Sequence, residues 1–152
     1  MQTATLPAEK SYCSSIAANI TAEEAYEKIS LVNEWWALNF EGSARKTGDI
    51  FTVRFGDTAV TFKIAEAIAG KKITWYVMDS YLPWLNNKTE WTNTKIVFEI
   101  VQLHNSVKIT MTHIGLLPGI ECYDNCKKGW DHFIKESLLK FITEGTGLPR
   151  KG

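Results

Sequence analysis

Residues 118–149 read PGIECYDNCKKGWDHFIKESLLKFITEGTGLP, and the span from Glu121 to Glu144 within them decides the fold. Pro118-Gly119 introduces that span, and Gly145, Gly147 and Pro149 stop it, as helix boundaries require. Tyr123, Cys126, Trp130, Phe133, Ile134, Leu138 and Phe141 recur at three- and four-residue steps, so they share one broad apolar face. A helix of about 24 residues is roughly 36 Å long. Burying about six of its large side chains contributes on the order of 10–18 kcal/mol gross. Such a helix needs a long apolar surface to lie on.

The chain before it supplies that surface. Residues 10–20 read as a first strand, with Tyr12, Ile16 and Ile20 among small and polar residues. Thr21-Ala22-Glu23-Glu24 is a capping-box pattern that opens a helix carrying Ala25, Tyr26, Ile29 and Val32 on one side. A break near Ser30 to Asn33 leads into Trp35-Trp36. The period then changes to two. Phe51, Val53 and Phe55 form one apolar row, Gly56-Asp57 turns the chain, and Val60, Phe62 and Ile64 form the next. Gly70-Lys71 leads to Ile73, Trp75 and Val77, and the rows Ile96, Phe98, Ile100 and Val107, Ile109, Met111, His113 follow around a turn at His104-Asn105-Ser106. Asp79 to Glu90, with Tyr81, Pro83 and Trp84, is the one long irregular connection, and loops of that length are often functional. The order is strand, short helices, about six strands, long helix: an α+β antiparallel meander with one dry face.

Composition narrows the class. The 152 residues suit one domain spanning residues 1–152, with residues 1–9 expected to be flexible. Hydrophobic residues at 45% and aromatic residues at 12% fit a folded globule. Seventeen basic residues balance seventeen acidic ones without a basic run, which argues against nucleic acid as a partner. No stretch has the length of a membrane span, and the first ten residues lack a signal-peptide pattern. The three cysteines do not form a disulfide framework, and bridging Cys122 to Cys126 within one helix is expected to strain the backbone. A reducing cytoplasm is the resulting expectation.

The element order and several short motifs resemble the helix-grip superfamily, which includes START lipid-transfer domains and the birch pollen allergen and is also called SRPBCC-type. The nearest resemblance is to the family of homologues of the C-terminal domain of the heat-shock-protein-90 ATPase activator. It is carried by Ile20-Thr21-Ala22 with Ala25 and Ile29, by Trp35-Trp36, and by Gly48-Asp49-Ile50-Phe51. Gly70-Lys71-Lys72-Ile73-Thr74-Trp75 and Gly129-Trp130 with Leu138-Leu139 complete it. The resemblance implies a seven-stranded antiparallel curved sheet gripping the last helix, with a cavity between. It also implies a menu of activities: lipid or hormone binding, aromatic polyketide cyclisation, or a stress-related role beside a chaperone. The eukaryotic co-chaperone pairs this domain with a separate N-terminal one, whereas these 152 residues are expected to hold a single domain. Fold alone does not choose among these.

The residues favour binding of a small hydrophobic or amphipathic molecule, without catalysis. Trp35, Trp36, Phe51, Val53, Trp75, Val77, Trp84, Phe98, Met111, Cys126 and Trp130 are the expected apolar lining, and Asp79, His113 and Tyr123 are placed to orient a polar head. Gly129, costly in a helix interior, marks a place where a strand or a bound molecule approaches closely. His113 with Asp79 or Tyr123 is the one general-base arrangement to weigh, and a hydrogen-bonded core histidine is the commoner alternative. Cys126 and His132, six residues apart, fall on opposite sides of the helix and form no couple. His113, Cys122 and Cys126, with Cys13 distant, lack the ligand spacing of a zinc site, so no metal or cofactor is expected. One copy, or a pair of identical copies, suits the chain.

Overall fold

A computed structural model describes residues 10–150; the expectation about residues 1–9 lies outside them. The elements are β1 (Tyr12–Ala18), α1 (Ala22–Ser30), α2 (Val32–Trp35), β2 (Asn39–Gly42), β3 (Ile50–Phe55), β4 (Thr58–Ile68), β5 (Lys72–Tyr81), β6 (Lys95–Gln102), β7 (Val107–Ile114) and a C-terminal helix, α3 (residues 123–144). All seven strands join one antiparallel sheet in the order β1-β7-β6-β5-β4-β3-β2. Among the described residues no helix is long and apolar enough to cross a membrane.

The local chemistry accounts for these boundaries. Thr21 Oγ1 accepts from Glu24 N while Glu24 Oε1 accepts from Thr21 N, which is the expected capping box. The break falls at Leu31, and α2 then turns Trp35 inward, where its Nε1 donates to the Ile29 carbonyl at 3.2 Å. Gly56 takes a positive φ of 61° at the β3–β4 turn, which fixes the register Phe55 opposite Thr58. β2 has one inward aromatic, Phe40, and no alternation, so it was not separately legible. β5 runs on to Tyr81 because the long β4 keeps pairing it through Asp79, Ser80 and Tyr81. The irregular connection is therefore residues 82–94, later than Asp79–Glu90.

The inner face of the sheet is paved with aromatic rings. Phe51, Phe62, Trp75 and Phe98 are fully buried and touch in sequence: Phe51–Phe62 at 4.8 Å, Phe62–Trp75 at 5.4 Å, Trp75–Phe98 at 4.8 Å between centroids. Trp35 and Trp36 stack on Trp75 from the helix side. Offset and edge contacts of this kind add stabilisation beyond area burial. The deep space between sheet and helix is thus filled by side chains.

α3 is α-helical over Tyr123–Trp130, π-helical over Asp131–Leu138 and α-helical again over Leu139–Glu144. The Leu139 N–H reaches back to the Ile134 carbonyl, five residues away, as a π turn does. The sequence explains it. Buried pairs Phe133–Ile134, Ser137–Leu138 and Phe141–Ile142 recur every four residues, a period that a 3.6-residue helix would carry steadily off the core. The wider π turns keep all three pairs inward. Asp131 ties this segment to β1 by accepting from the Tyr12 hydroxyl at 2.5 Å, and Lys127 donates to its other oxygen at 3.1 Å. Burial pushes the Asp131 carboxyl up, but the bonds from Tyr12 and Lys127 outweigh it, so the group sits below the usual carboxylate range. Burial, and then Asp131 as acceptor, holds the Tyr12 hydroxyl well above its ordinary value.

Gly145, with φ 85°, ends the helix in the left-handed cap that glycine favours. The tail then passes under α2. Leu148 N donates to Ser137 Oγ at 2.7 Å, and Ser137 Oγ donates to the Trp35 carbonyl at 2.6 Å. A Cβ on Gly147 would stand 2.5 Å from the Glu34 carbonyl oxygen and 3.1 Å from Trp35 Cα. Gly147→Ala is therefore expected to cost about 1–3 kcal/mol in urea unfolding, since backbone rather than a flexible side chain must give way. An unchanged midpoint would mean that the tail is not seated there.

Candidate functional site

The open space lies at one end of the sheet–helix interface, as a cleft of about 550 Å³. One wall is the β3–β4 hairpin with Phe55, Thr58 and Val60, and the opposite wall is the N-terminal half of α3 from Asn125 to Phe133. Trp36 reaches in from the end of α2, Leu82, Trp84 and Trp91 close one side, and Arg150 stands on the other. The rings form a connected set: Trp36–Trp130 at 5.0 Å, Trp91–Trp130 stacked at 5.9 Å, and Phe55–Phe133 at 6.3 Å.

Two carboxylates hold the 82–94 segment against α3. Glu121 accepts the backbone N–H of Asn86 at 2.9 Å and of Asn87 at 3.3 Å, and Glu90 accepts the Cys122 N–H at 2.9 Å. Trp91 Nε1 donates to Cys122 Sγ at 3.4 Å. The segment is consequently a built wall, with Trp84 half-exposed at its rim.

Of the residues expected to line a cavity, Trp36, Trp84, Cys126 and Trp130 border this cleft. Trp35, Phe51, Val53, Trp75, Val77, Phe98 and Met111 are buried in the packed core behind it. Trp75 Nε1 has no hydrogen-bond partner among the described residues. Asp79 is exposed on β5, and Tyr123 packs partly against the core at the start of α3. Neither borders the cleft.

His113 lies directly beneath the cleft, fully buried. Trp130 Nε1 donates to its Nδ1 at 3.1 Å, so the ring proton is on Nε2 and goes to Thr94 Oγ1 at 2.9 Å. Thr94 Oγ1 in turn donates to the Trp91 carbonyl at 2.6 Å. Every polar atom in this chain of bonds is used. Burial pushes the His113 pKa down to about 3, so the imidazole is neutral near pH 7. With both ring nitrogens occupied, it positions Trp130 and Trp91 and does not reach a bound molecule.

Phe55, Trp91, Phe133, Gly129 and Arg150 are among the lining residues outside the expected set. Phe133 and Gly129 were visible on the apolar face and as a helix glycine. Trp91 lies one residue past the Asp79–Glu90 span expected as the irregular connection, and a further tryptophan seven residues after Trp84 is the available signal. His132 also borders the cleft, its Nδ1 3.8 Å from Glu136 Oε1. Its ring leans edge-on against Phe133 at 4.9 Å. It makes no hydrogen bond to Cys126 among the described residues.

The Cys122 and Cys126 sulfurs are bonded, with Cα atoms 5.6 Å apart. That Cα spacing is within the ordinary disulfide range, and Cys122 sits at the N-cap of α3 rather than inside it. With these two thiols paired, cysteine usage gives no support to a reducing compartment. In unreduced denatured protein, a thiol assay is expected to find one reactive group, Cys13, rising to three after reduction. Three before reduction would contradict the pairing. Among the described residues no three His, Cys, Asp or Glu side chains gather as metal ligands would.

Known structures share this architecture. The Aha1 dimer from Colwellia psychrerythraea matches with a TM-score of 0.72 at 21% identity, over 89% of this chain and 97% of that one. DynU16, from the dynemicin biosynthetic locus, matches with a TM-score of 0.66 at 13% identity, over 91% of this chain and 49% of that one. CalU16 from Micromonospora echinospora matches with a TM-score of 0.62 at 11% identity, over 88% of this chain and 76% of that one. The fold is the helix-grip fold. At these identities the likeness is one of fold, with an Aha1-like neighbour. No protein-family model matches the chain, and no curated protein sequence does. In this chain the core is closed by aromatics and a cleft is left open at one end.

Proposed function

We propose that the protein binds a small hydrophobic or amphipathic molecule in this cleft and does not transform it. The observation that carries the reading is the open volume walled by Trp36, Trp91, Trp130 and Phe133, with Gly129 on its surface. A volume of about 550 Å³ falls within the range of small-molecule sites, and a mostly apolar wall of rings suits a ligand with a flat apolar body. The wall is held by bonds that need no ligand, so the site is pre-formed.

Gly129 supports the same reading. A Cβ there meets nothing within 4 Å, so no strand approaches it and no packing reason requires a glycine. Its cost in a helix, roughly 1 kcal/mol against alanine, goes with space kept open. A cyclase- or hydrolase-like role has less support, because the one buried base, His113, has both nitrogens engaged. A paired state is compatible with the Aha1 likeness, since that structure is of a dimer.

Native mass spectrometry of protein purified without detergent, followed by a fluorescent-lipid and aromatic-probe screen, tests the proposal. The expected result is a co-purified small molecule or one saturable probe site. A bare chain mass together with an empty screen would count against it.

A further inference from the structure

The charged groups at the cleft are of one sign. Lys128 and Arg150 border it, and among the described residues no aspartate or glutamate does. In a chain with equal numbers of acidic and basic residues this is a local bias, not a reflection of overall charge. The other cations of α3 have carboxylate partners: Lys127 and Lys135 with Asp131, and Lys140 with Glu144. Lys128 has none among the described residues. Arg45 is paired with Glu27 and Arg54 with Glu41, whereas Arg150 has no carboxylate partner among the described residues and lies over the Phe133 ring, 5.8 Å from its centroid.

Arg150 is also delivered by design of the backbone. Its N–H donates to the Trp36 carbonyl at 2.9 Å, and its carbonyl accepts from Leu38 N at 3.0 Å, a parallel bridge beside Ala37. The close passage of Gly147 under α2 and the Leu148–Ser137 bond fix the chain just before it. A guanidinium held over the Phe133 ring, with an ammonium bordering the same cleft, offers preorganised hydrogen-bond donors to an oxyanion.

We infer that the ligand of this cleft is an amphipathic anion: a flat apolar body lying among the tryptophans, with one carboxylate or sulfonate at the mouth between Arg150 and Lys128. This rests on the cleft being a binding site at all, so the experiment must separate the two ideas. A matched pair of probes does so. 8-Anilinonaphthalene-1-sulfonate carries the anion, and N-phenyl-1-naphthylamine has the same rings without it. In low salt the sulfonate is expected to bind at least tenfold more tightly than the neutral probe. In Arg150→Gln/Lys128→Gln that ratio of affinities is expected to fall by about tenfold or more, and 0.5 M salt should reduce it in the unaltered protein. Both side chains are exposed, so the double variant folds; Lys128→Glu alone should lower the ratio further than Lys128→Gln. Equal affinities for the two probes, or a ratio unmoved by the substitutions, would overturn the anion inference while leaving the cleft as a neutral binding site. Binding of neither probe would overturn both.

Discussion

Replacing Trp130 with alanine is expected to cost about 3–5 kcal/mol of folding stability, a large share of the 5–15 kcal/mol a domain typically has. Three losses combine. The indole is nearly fully buried, it contacts Trp36 and stacks on Trp91, and its N–H is the donor to His113 Nδ1. Removing it leaves a cavity and an unpaired buried acceptor at once. Trp130→Phe separates the two terms: it keeps a ring in the stack and loses the N–H, so it should cost about 1–3 kcal/mol. Urea denaturation with both variants measures the difference. A cost below about 1 kcal/mol for the alanine variant would mean that the aromatic set is not packed as described.

The second large effect is on acid stability. His113 has its pKa pushed down to about 3 by burial, against an ordinary value of 6.5 in the unfolded chain. Between those values the unfolded chain carries a proton that the folded one refuses, so acidification favours unfolding. Stability is therefore level with respect to this group above about pH 6.5, and falls by about 1.4 kcal/mol per pH unit down towards pH 3. Asp131, held below the usual carboxylate range, adds its own loss only below about pH 4. His113→Asn retains an acceptor for Trp130 but does not titrate. It should lower stability at pH 7.5 by about 1–3 kcal/mol and flatten the slope between pH 6.5 and 4.5 by about one proton. An unaltered slope in that variant would locate the titrating group elsewhere.

How far the sequence reaches is visible in individual residues. Period-two rows such as Phe51-Val53-Phe55 and Ile73-Trp75-Val77 announce strands, because alternation has only one structural meaning over that length. Thr21 with Glu24 announces a helix start for the same reason. β2 has no such pattern; it is defined by its pairing with β3, Asn39 opposite Arg54 through Gly42 opposite Phe51, which is a tertiary fact. The π turns of α3 were legible in principle in the four-residue recurrence of buried pairs. A count to the nearest three or four residues absorbs that recurrence into an ordinary helix.

The site was read less completely than the fold. Aromatic residues in a small domain serve both packing and binding, and sequence order does not tell which ring ends a stack and which lies within it. Trp75 and Trp36 stack on each other, yet only Trp36 has a face to the cleft. Arg150 lies beyond every helix-stop signal and reaches the cleft because the tail doubles back beneath α2. No local pattern encodes such a return. Gly129 was the position where local reasoning came closest, since an unfavoured residue inside a strong helix asks for an explanation outside the helix.

That glycine also gives the most direct test of the account. Gly129→Leu places a side chain where a Cβ meets nothing within 4 Å, on the surface of the cleft, in a residue of high helix propensity. Titration with N-phenyl-1-naphthylamine, followed by energy transfer from tryptophan, should show one saturable site in the unaltered protein. In the variant, affinity should fall at least tenfold while the melting temperature holds or rises by about 2–4 °C. Equal binding by both proteins, or a variant that loses stability along with binding, would contradict an open ligand cleft at this end of the fold.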